Sequence, residues 1–233
     1  MPDLDELIEA FYKLNYSEDK NPYILNARIY SQIPEVMITS REEENYGRVR
    51  WKLTKHRDDI NPDFEVLEEK IGVVLPYSFK LWHSRYFTLN GFSHLIYLPI
   101  SPSNDPLYGL RQQIFNSWHP QEIRDSGLIM FGSERNGIGP ICFDVRKPVQ
   151  DNDYPIVIWD HEYPSDRVSS PIFSSFSKLL ECCVYYLSGN SIDWWVRDRR
   201  ISKFAEIDPL GAGQEDQSYW SGWYDYLDED SNE

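Results

Sequence analysis

Apolar positions along the chain fall into a pattern that is densest between residues 127 and 162. Leu128-Ile129-Met130-Phe131 is a continuous apolar run; Ile141, Phe143 and Val145 alternate with Cys142, Asp144 and Arg146; Ile156-Val157-Ile158-Trp159 is a second continuous run. Alternation with a period of two marks a strand, and a short apolar run bounded by turn residues marks a strand covered on both faces. The segment therefore reads as three strands at the middle of a sheet. Between the first two, Gly132 to Gly139 carries the step Asn136-Gly137, which accepts the positive φ of a hairpin turn. The link from Arg146 to Tyr154 holds Pro148, Asp151 and Asp153 and reads as a solvated loop.

The rest of the chain alternates between helical and extended patterns. Asp3 to Leu14 places Leu4, Leu7, Ile8, Phe11 and Leu14 on one helical face, with Asp3 and Glu6 as a capping box, and reads as a lid on the domain. Glu35 to Ser40 and Gly47 to Leu53 read as a hairpin across an acidic loop, with Val49, Trp51 and Leu53 inward and Arg48, Arg50 and Lys52 toward water. A helix is expected from Asn61-Pro62, with Phe64, Leu67 and Ile71 inward and Gly72 as its stop. Another opens at Pro76 and carries Phe79, Trp82 and Tyr86, before Asn90-Gly91 and a strand around His94 to Leu98. A fourth follows Asn104-Asp105-Pro106 with Leu107, Leu110, Ile114 and Trp118 on one stripe. After the three strands, Ser170-Pro171 caps a long helix with Phe173, Phe176, Leu180, Cys183, Val184 and Leu187 inward, ending at Gly189. A last helix from about Ser191 carries Trp194 and Trp195, then Arg197, Arg199, Arg200 and Lys203.

No repeat and no Pro/Gly/Ser-rich linker divides the chain. Strands separated irregularly by helices, around a glycine-turn hairpin, predict an α+β fold: a central, mostly antiparallel sheet with helices packed against it. Three parts are expected: an N-terminal helix and hairpin extension (1–50), an α+β core (51–189), and a basic helix with an acidic, aromatic tail (190–233).

At 233 residues and 41% hydrophobic content the chain has ample material for a core, and a domain of this size buries roughly 70% of its unfolded surface. No apolar run approaches the roughly 20 residues that cross a bilayer. The acidic N-terminus is unlike a signal peptide, and the three cysteines, Cys142, Cys182 and Cys183, form no metal-ligand spacing. A cytosolic protein with buried, free cysteines is the expectation.

Charge changes the picture more than composition does. The net charge is −15, yet from Phe204 onward there are nine acids and no Lys or Arg, leaving 23 basic against 29 acidic residues, or −6, for the first 203. Such a surface repels nucleic acid and anionic membranes and attracts a basic partner.

Catalytic signatures are sparse. The glycines between 132 and 139 match no phosphate-binding motif, and neither a GxSxG elbow nor an HExxH helix is present. The best enzymatic candidate is Asp160-His161-Glu162 at a strand end facing Asp144, where carboxylates and an imidazole could hold a metal or exchange protons. Polar residues that merely close a strand are the plainer reading. In the tail, Tyr219, Trp220, Trp223, Tyr224 and Tyr226 interleave with Asp225, Asp228, Glu229 and Asp230. That many aromatics suit a docked segment, either in cis on the basic helix at Arg197 to Lys203 or in trans on a basic partner.

In chain order, Phe64-Glu65, Glu68, Gly72-Val73, Leu75-Pro76, Asn90-Gly91, Phe131-Gly132, Asn136-Gly137, Cys142-Phe143-Asp144, Val157-Ile158-Trp159-Asp160-His161 and the helix at Phe176 resemble the SUKH superfamily over about Trp51 to Leu187. The resemblance implies an α+β fold that binds rather than catalyses, as in bacterial immunity proteins that neutralise toxins and in fungal regulators of cell-wall synthesis. What the resemblance implies for this chain is an immunity protein, expected to have no catalytic residue, metal or cofactor, for a basic toxin of nuclease type. Asp151, Asp153, Asp160, Glu162, Trp220, Trp223, Tyr224, Asp225 and Asp228 are the expected contact residues. A regulator or scaffold of the same fold with several partners, and a metal-assisted hydrolase at Asp144, Asp160 and His161, are the competing readings.

Overall fold

The computed structural model describes residues 3–21, 24–28, 33–41, 48–56, 61–147, 153–160, 168–189, 194–215, 219–220 and 222. Helix α1 (Leu4–Asn15) buries Leu7, Ile8, Phe11 and Tyr12, as its pattern dictates, although Asp3 at its N-cap makes no side-chain capping bond. Of the strand expected over Glu35 to Ser40, Glu35–Met37 is a 3-10 turn and β2 (Ile38–Arg41) pairs antiparallel with β3 (Arg48–Trp51), while β1 (Asn26–Arg28), which the sequence pattern does not announce, adds to the other side of β3. Short strands β4 (Thr54–Lys55) and β5 (Tyr86–Phe87) pair across α2 (Asn61–Ile71) and α3 (Tyr77–His83). Gly72 stops α2 with φ of 71°, a conformation free of cost only for glycine.

The central sheet is antiparallel, in the order β6 (Ile96–Tyr97), β7 (Leu128–Glu134), β8 (Pro140–Asp144), β9 (Ile156–Ile158). Its register puts Ile129 opposite Phe143 and Phe143 opposite Ile156, with Met130 opposite Cys142 and Cys142 opposite Val157. Side chains alternate across a pleated strand, so these two rows face opposite ways. The first row joins Phe131, Ile141 and Ile158 in the main core. There Phe79 of α3 meets Phe131, Phe143 and Phe176 edge-on at 5.7, 5.4 and 5.1 Å. Helix α6 (Phe176–Leu187) lies over this face and α1 packs on α6, with the Tyr12 hydroxyl donating 3.0 Å to the Trp82 carbonyl. The second row, with Leu128 and Trp159, forms a smaller cluster under Ile123 of α5 (Pro120–Asp125), which follows α4 (Tyr108–Asn116). The C-terminal part continues through α7 (Trp194–Asp198), a 3-10 turn (Arg199–Lys203) and α8 (Phe204–Ile207).

Three sequence expectations shift in register. Tyr86 leaves α3, because the chain turns at Ser84 and Tyr86 pairs with Lys55 on β4 while its hydroxyl donates to Glu9 at 2.8 Å. Helix α6 starts at Phe176 under a Ser175 cap, not near Pro171, because residues 168–173 are spent on the open edge of β9. There Ile156 N donates to Phe173 O and Ile172 N to Ile156 O, each at 2.8 Å. An edge strand leaves backbone groups unpaired, and this segment covers them. Finally, α4 ends at Asn116, so Trp118 stands outside the stripe of Leu110 and Ile114.

Candidate functional site

Of the nine residues that the sequence nominates for partner contact, Asp153, Asp160 and Trp220 are among the described residues, while Asp151, Glu162, Trp223, Tyr224, Asp225 and Asp228 lie outside them. The three occupy very different surroundings. Asp153 works within the fold: its Oδ1 accepts from Tyr154 N at 2.9 Å and Phe176 N at 3.2 Å, and its Oδ2 from Ser78 Oγ at 3.0 Å. It thus ties the end of the 146–154 loop to the first turn of α6 and to α3. Burial raises its pKa against the lowering effect of those bonds.

Trp220 is 1% exposed. Its Nε1 donates to Ile172 O at 2.9 Å, and its ring meets Phe173 and Phe204 at 5.3 and 5.1 Å. The described part of the tail therefore docks in cis, but on an apolar seat rather than on the basic cluster. That cluster has its own duties. Arg197 is buried and donates 2.7 Å to Lys20 O, Arg200 lies 4.0 Å from the Tyr185 ring centroid, and Lys203 pairs with Glu206.

Asp160 sits half-buried just past β9, beside Trp159 of the smaller core. The turn between β7 and β8 passes close to this strand end. A Cβ at Gly139 would lie 2.1 Å from the Trp159 carbonyl oxygen, so that approach requires glycine. The Trp159 ring is 5.6 Å from His119, whose ring is 5.2 Å from Trp118. His119 Nδ1 lies 3.2 Å from Glu122 Oε2. Trp118 is 56% exposed, so an aromatic side chain reaches the surface near this strand end. The helical spacing of Trp118 from Ile114 hides it in the sequence, and the local sign of a break is Pro120, which biases His119 away from right-handed helix.

The two described carboxylates of the catalytic candidate, Asp144 and Asp160, are not brought together. Asp144 N donates to Pro155 O at 2.9 Å, which places Asp144 at the start of β9, whereas Asp160 follows its end five residues on. At a strand rise of about 3.3 Å per residue, the two carboxylates are held roughly 16 Å apart. Asp144 is instead buried against Arg146, whose Nε and NH2 donate to it at 2.7 and 2.9 Å. His161 lies outside the described residues, and among those described no group of three or more His, Cys, Asp or Glu is placed to hold a metal. Cys142, Cys182 and Cys183 are free and buried. Burial raises all three thiols, Cys183 to about 12, so they stay protonated at neutral pH, and the thiol is the unreactive form.

Among the described residues no helix is long and apolar enough to cross a membrane. A search of the curated proteins finds no match. A family model, SMI1 / KNR4 family (SUKH-1), matches residues 61–182, the span from α2 through the sheet and into α6. This is the core of the span over which the motif order resembles the SUKH superfamily, and it covers more than half of the 233 residues. The matched span includes both Trp118 and Asp160 and stops short of Trp220. The α+β architecture, the motif order and this match agree, and the chain belongs to the SMI1 / KNR4 family (SUKH-1).

Proposed function

We propose that this family member acts by binding, as an immunity protein that neutralises a basic protein toxin and performs no catalysis itself. The observation that carries the reading is the net charge of −15 on a chain of this family. A toxin that cleaves nucleic acid must approach phosphates and is accordingly basic, so an acidic inhibitor is steered to it and competes for the same surface. The separation of Asp144 from Asp160 and the engagement of Asp144 by Arg146 also favour binding over hydrolysis. Of the nominated contacts, the carboxylate of Asp153 and the indole of Trp220 already serve the fold, which shifts the weight of the proposal to Asp160 and to Asp151, Glu162, Trp223, Tyr224, Asp225 and Asp228.

The test is capture of neighbouring gene products by the tagged full-length chain. One basic partner at one-to-one stoichiometry is expected, with affinity falling by at least about tenfold between low and high salt. Several captured partners of unlike charge would instead favour the regulator or scaffold reading. Affinity indifferent to salt would remove the electrostatic account.

A further inference from the structure

The outer face of the three-stranded sheet carries a charge opposite to that of the chain as a whole. We propose that the acidic C-terminal segment, Asp225 to Glu233, folds back over this face in cis, so that the cations of the sheet hold the acids until a basic partner takes them. The contact stands apart from the binding reading above; its role as a brake on partner capture rests on that reading.

Register defines the face. The strands lie in the order β1-β3-β2, with Asn26 and Ser40 opposite Arg50 on either side and Arg28 opposite Arg48. Ala27, Val49 and Trp51 are buried, so the alternate row lies on the outer face, where Arg50 and, just past β3, Lys52 are exposed. The pair Arg28 and Arg48 is the next step along that row. Like charges set directly opposite each other destabilise a ladder, and an anion laid over them removes the repulsion. Glu18 pairs with Arg50, but with side chains 44% and 43% exposed such a pair holds weakly, and Lys52 makes no ion pair among the described residues.

Chain length and charge select the occupant. Trp220 fixes where the segment starts, and beside it the Tyr219 hydroxyl lies 3.5 Å from Glu134 Oε2. A line of contacts leads from there to the sheet. Arg135, next to Glu134, donates to His94 O at 3.0 Å; Asn21 Nδ2 donates to Phe92 O at 3.2 Å; and Glu18, one turn before Asn21, meets Arg50. Thirteen residues follow Trp220, with five acids and no Lys or Arg. Extended, they span up to about 43 Å, against a radius of gyration of about 17 Å for a compact chain of this length. A tethered segment acts at an effective concentration on the order of millimolar, which a separate acidic molecule must match. In the basic cluster nearer in sequence, Arg197, Arg200 and Lys203 already have partners within the fold. The tail of a second copy would have to overcome repulsion between two chains of −15.

The test uses the full-length chain with Asn232→Cys carrying a nitroxide label, the native cysteines being buried. At low ionic strength the label should broaden the NMR signals of the backbone amides of residues 26–28, 38–41 and 48–52. The broadening should fall at least about threefold at high salt, and likewise in the full-length variant Arg48→Gln/Arg50→Gln/Lys52→Gln, whose circular-dichroism melt checks that it is folded. A hexa-arginine peptide should release it saturably. Broadening centred on residues 197–203, or none at the sheet, would leave these cations to Glu42–Glu44 or to an outside anion and overturn the contact. Broadening at the sheet that scales with protein concentration would assign the acids to a second copy and overturn it equally. If hexa-arginine leaves the broadening in place, the brake is overturned while the contact stands. The binding reading is judged by capture of a basic partner, so the two fail separately.

Discussion

Trp118 and Trp220 are the same residue type in similar company, each beside a second aromatic or imidazole ring, yet one is 56% exposed and the other 1%. Sequence patterning places Trp118 on an apolar helical stripe and Trp220 on a partner surface. The fold puts Trp220 against Phe173 and Phe204 and leaves Trp118 at the rim of the sheet. The difference lies in what each backbone does. Pro120 and the left-handed His119 turn the chain before the indole of Trp118 can join the stripe, while the segment covering the β9 edge offers Trp220 a carbonyl, that of Ile172, for its N–H. A buried indole needs such an acceptor, and an exposed one has water.

The sharpest way to break this comparison is Trp220→Ala. Truncating a fully buried tryptophan costs about 3–5 kcal/mol, and here it also leaves the Ile172 carbonyl without its indole donor. At roughly 2–4 °C per kcal/mol for a chain of this length, the thermal midpoint should fall by about 10 °C in a circular-dichroism melt. A variant that melts within about 1 °C of the parent would mean that this arm does not hold the fold, and the contrast with Trp118 would dissolve.

Next in size is the polar junction beneath the C-terminal helices. Arg135 donates to His94 O at 3.0 Å and to Asp198 Oδ2 at 2.8 Å, and the Tyr186 hydroxyl donates to Asp198 Oδ1 at 2.8 Å. With the Asp198 side chain only 3% exposed, Asp198→Ala takes the carboxylate away from both the Arg135 guanidinium and the Tyr186 phenol and should cost about 3 kcal/mol. In a double-mutant cycle with Tyr186→Phe the two losses should not add, because both remove the same bond. Strict additivity would show that Tyr186 and Asp198 act independently.

What the sequence made legible, and what it did not, follows the same physics. Period-two alternation in Ile141 to Val145, the Asn136-Gly137 turn and Gly72 as a helix stop were all local, and each stands where its local rule puts it. Tyr86, Phe173 and Trp118 depart from the helices that their spacing also fits, and for two of them the deciding partners are distant in sequence: Lys55 for Tyr86 and Ile156 for Phe173. For Trp118 the decisive residue, Pro120, was near and was outweighed by the stripe. The candidate site was legible only in part for a related reason. An aspartate in a loop reads as solvent-facing, and nothing local reveals that Asp153 will cap α6, 23 residues on.

A pH experiment gives a smaller effect that probes the same junction. His94 is pushed down to about 4, by burial first and then by Arg197 and Arg135. Between its ordinary value of 6.5 and about 4 the unfolded chain takes up a proton that the folded chain refuses, so stability is lost as pH falls through this window. The slope per fully coupled group is at most about 1.4 kcal/mol per pH unit, and less for a ring that is partly solvated. Asparagine tolerates the φ of 65° that His94 adopts, so His94→Asn should keep the backbone and flatten the loss. The slope that remains should be that of His83, which burial pushes down to about 3 within a ring of Phe64, Phe79 and Trp82. An unchanged pH profile in His94→Asn would assign the acid sensitivity elsewhere.

The smallest expected stability change belongs to Trp118→Ala, and its smallness is informative. Exposed side chains away from caps and buried networks change stability by about 0.5 kcal/mol or less, so the thermal midpoint should move by no more than about 2 °C. Beside the large loss in Trp220→Ala, this would establish that the fold does not need the indole that it leaves at the surface. A drop of 5 °C or more would instead make Trp118 a cover for the smaller core, with its ring bearing on His119 and the His119 ring bearing on the buried Trp159.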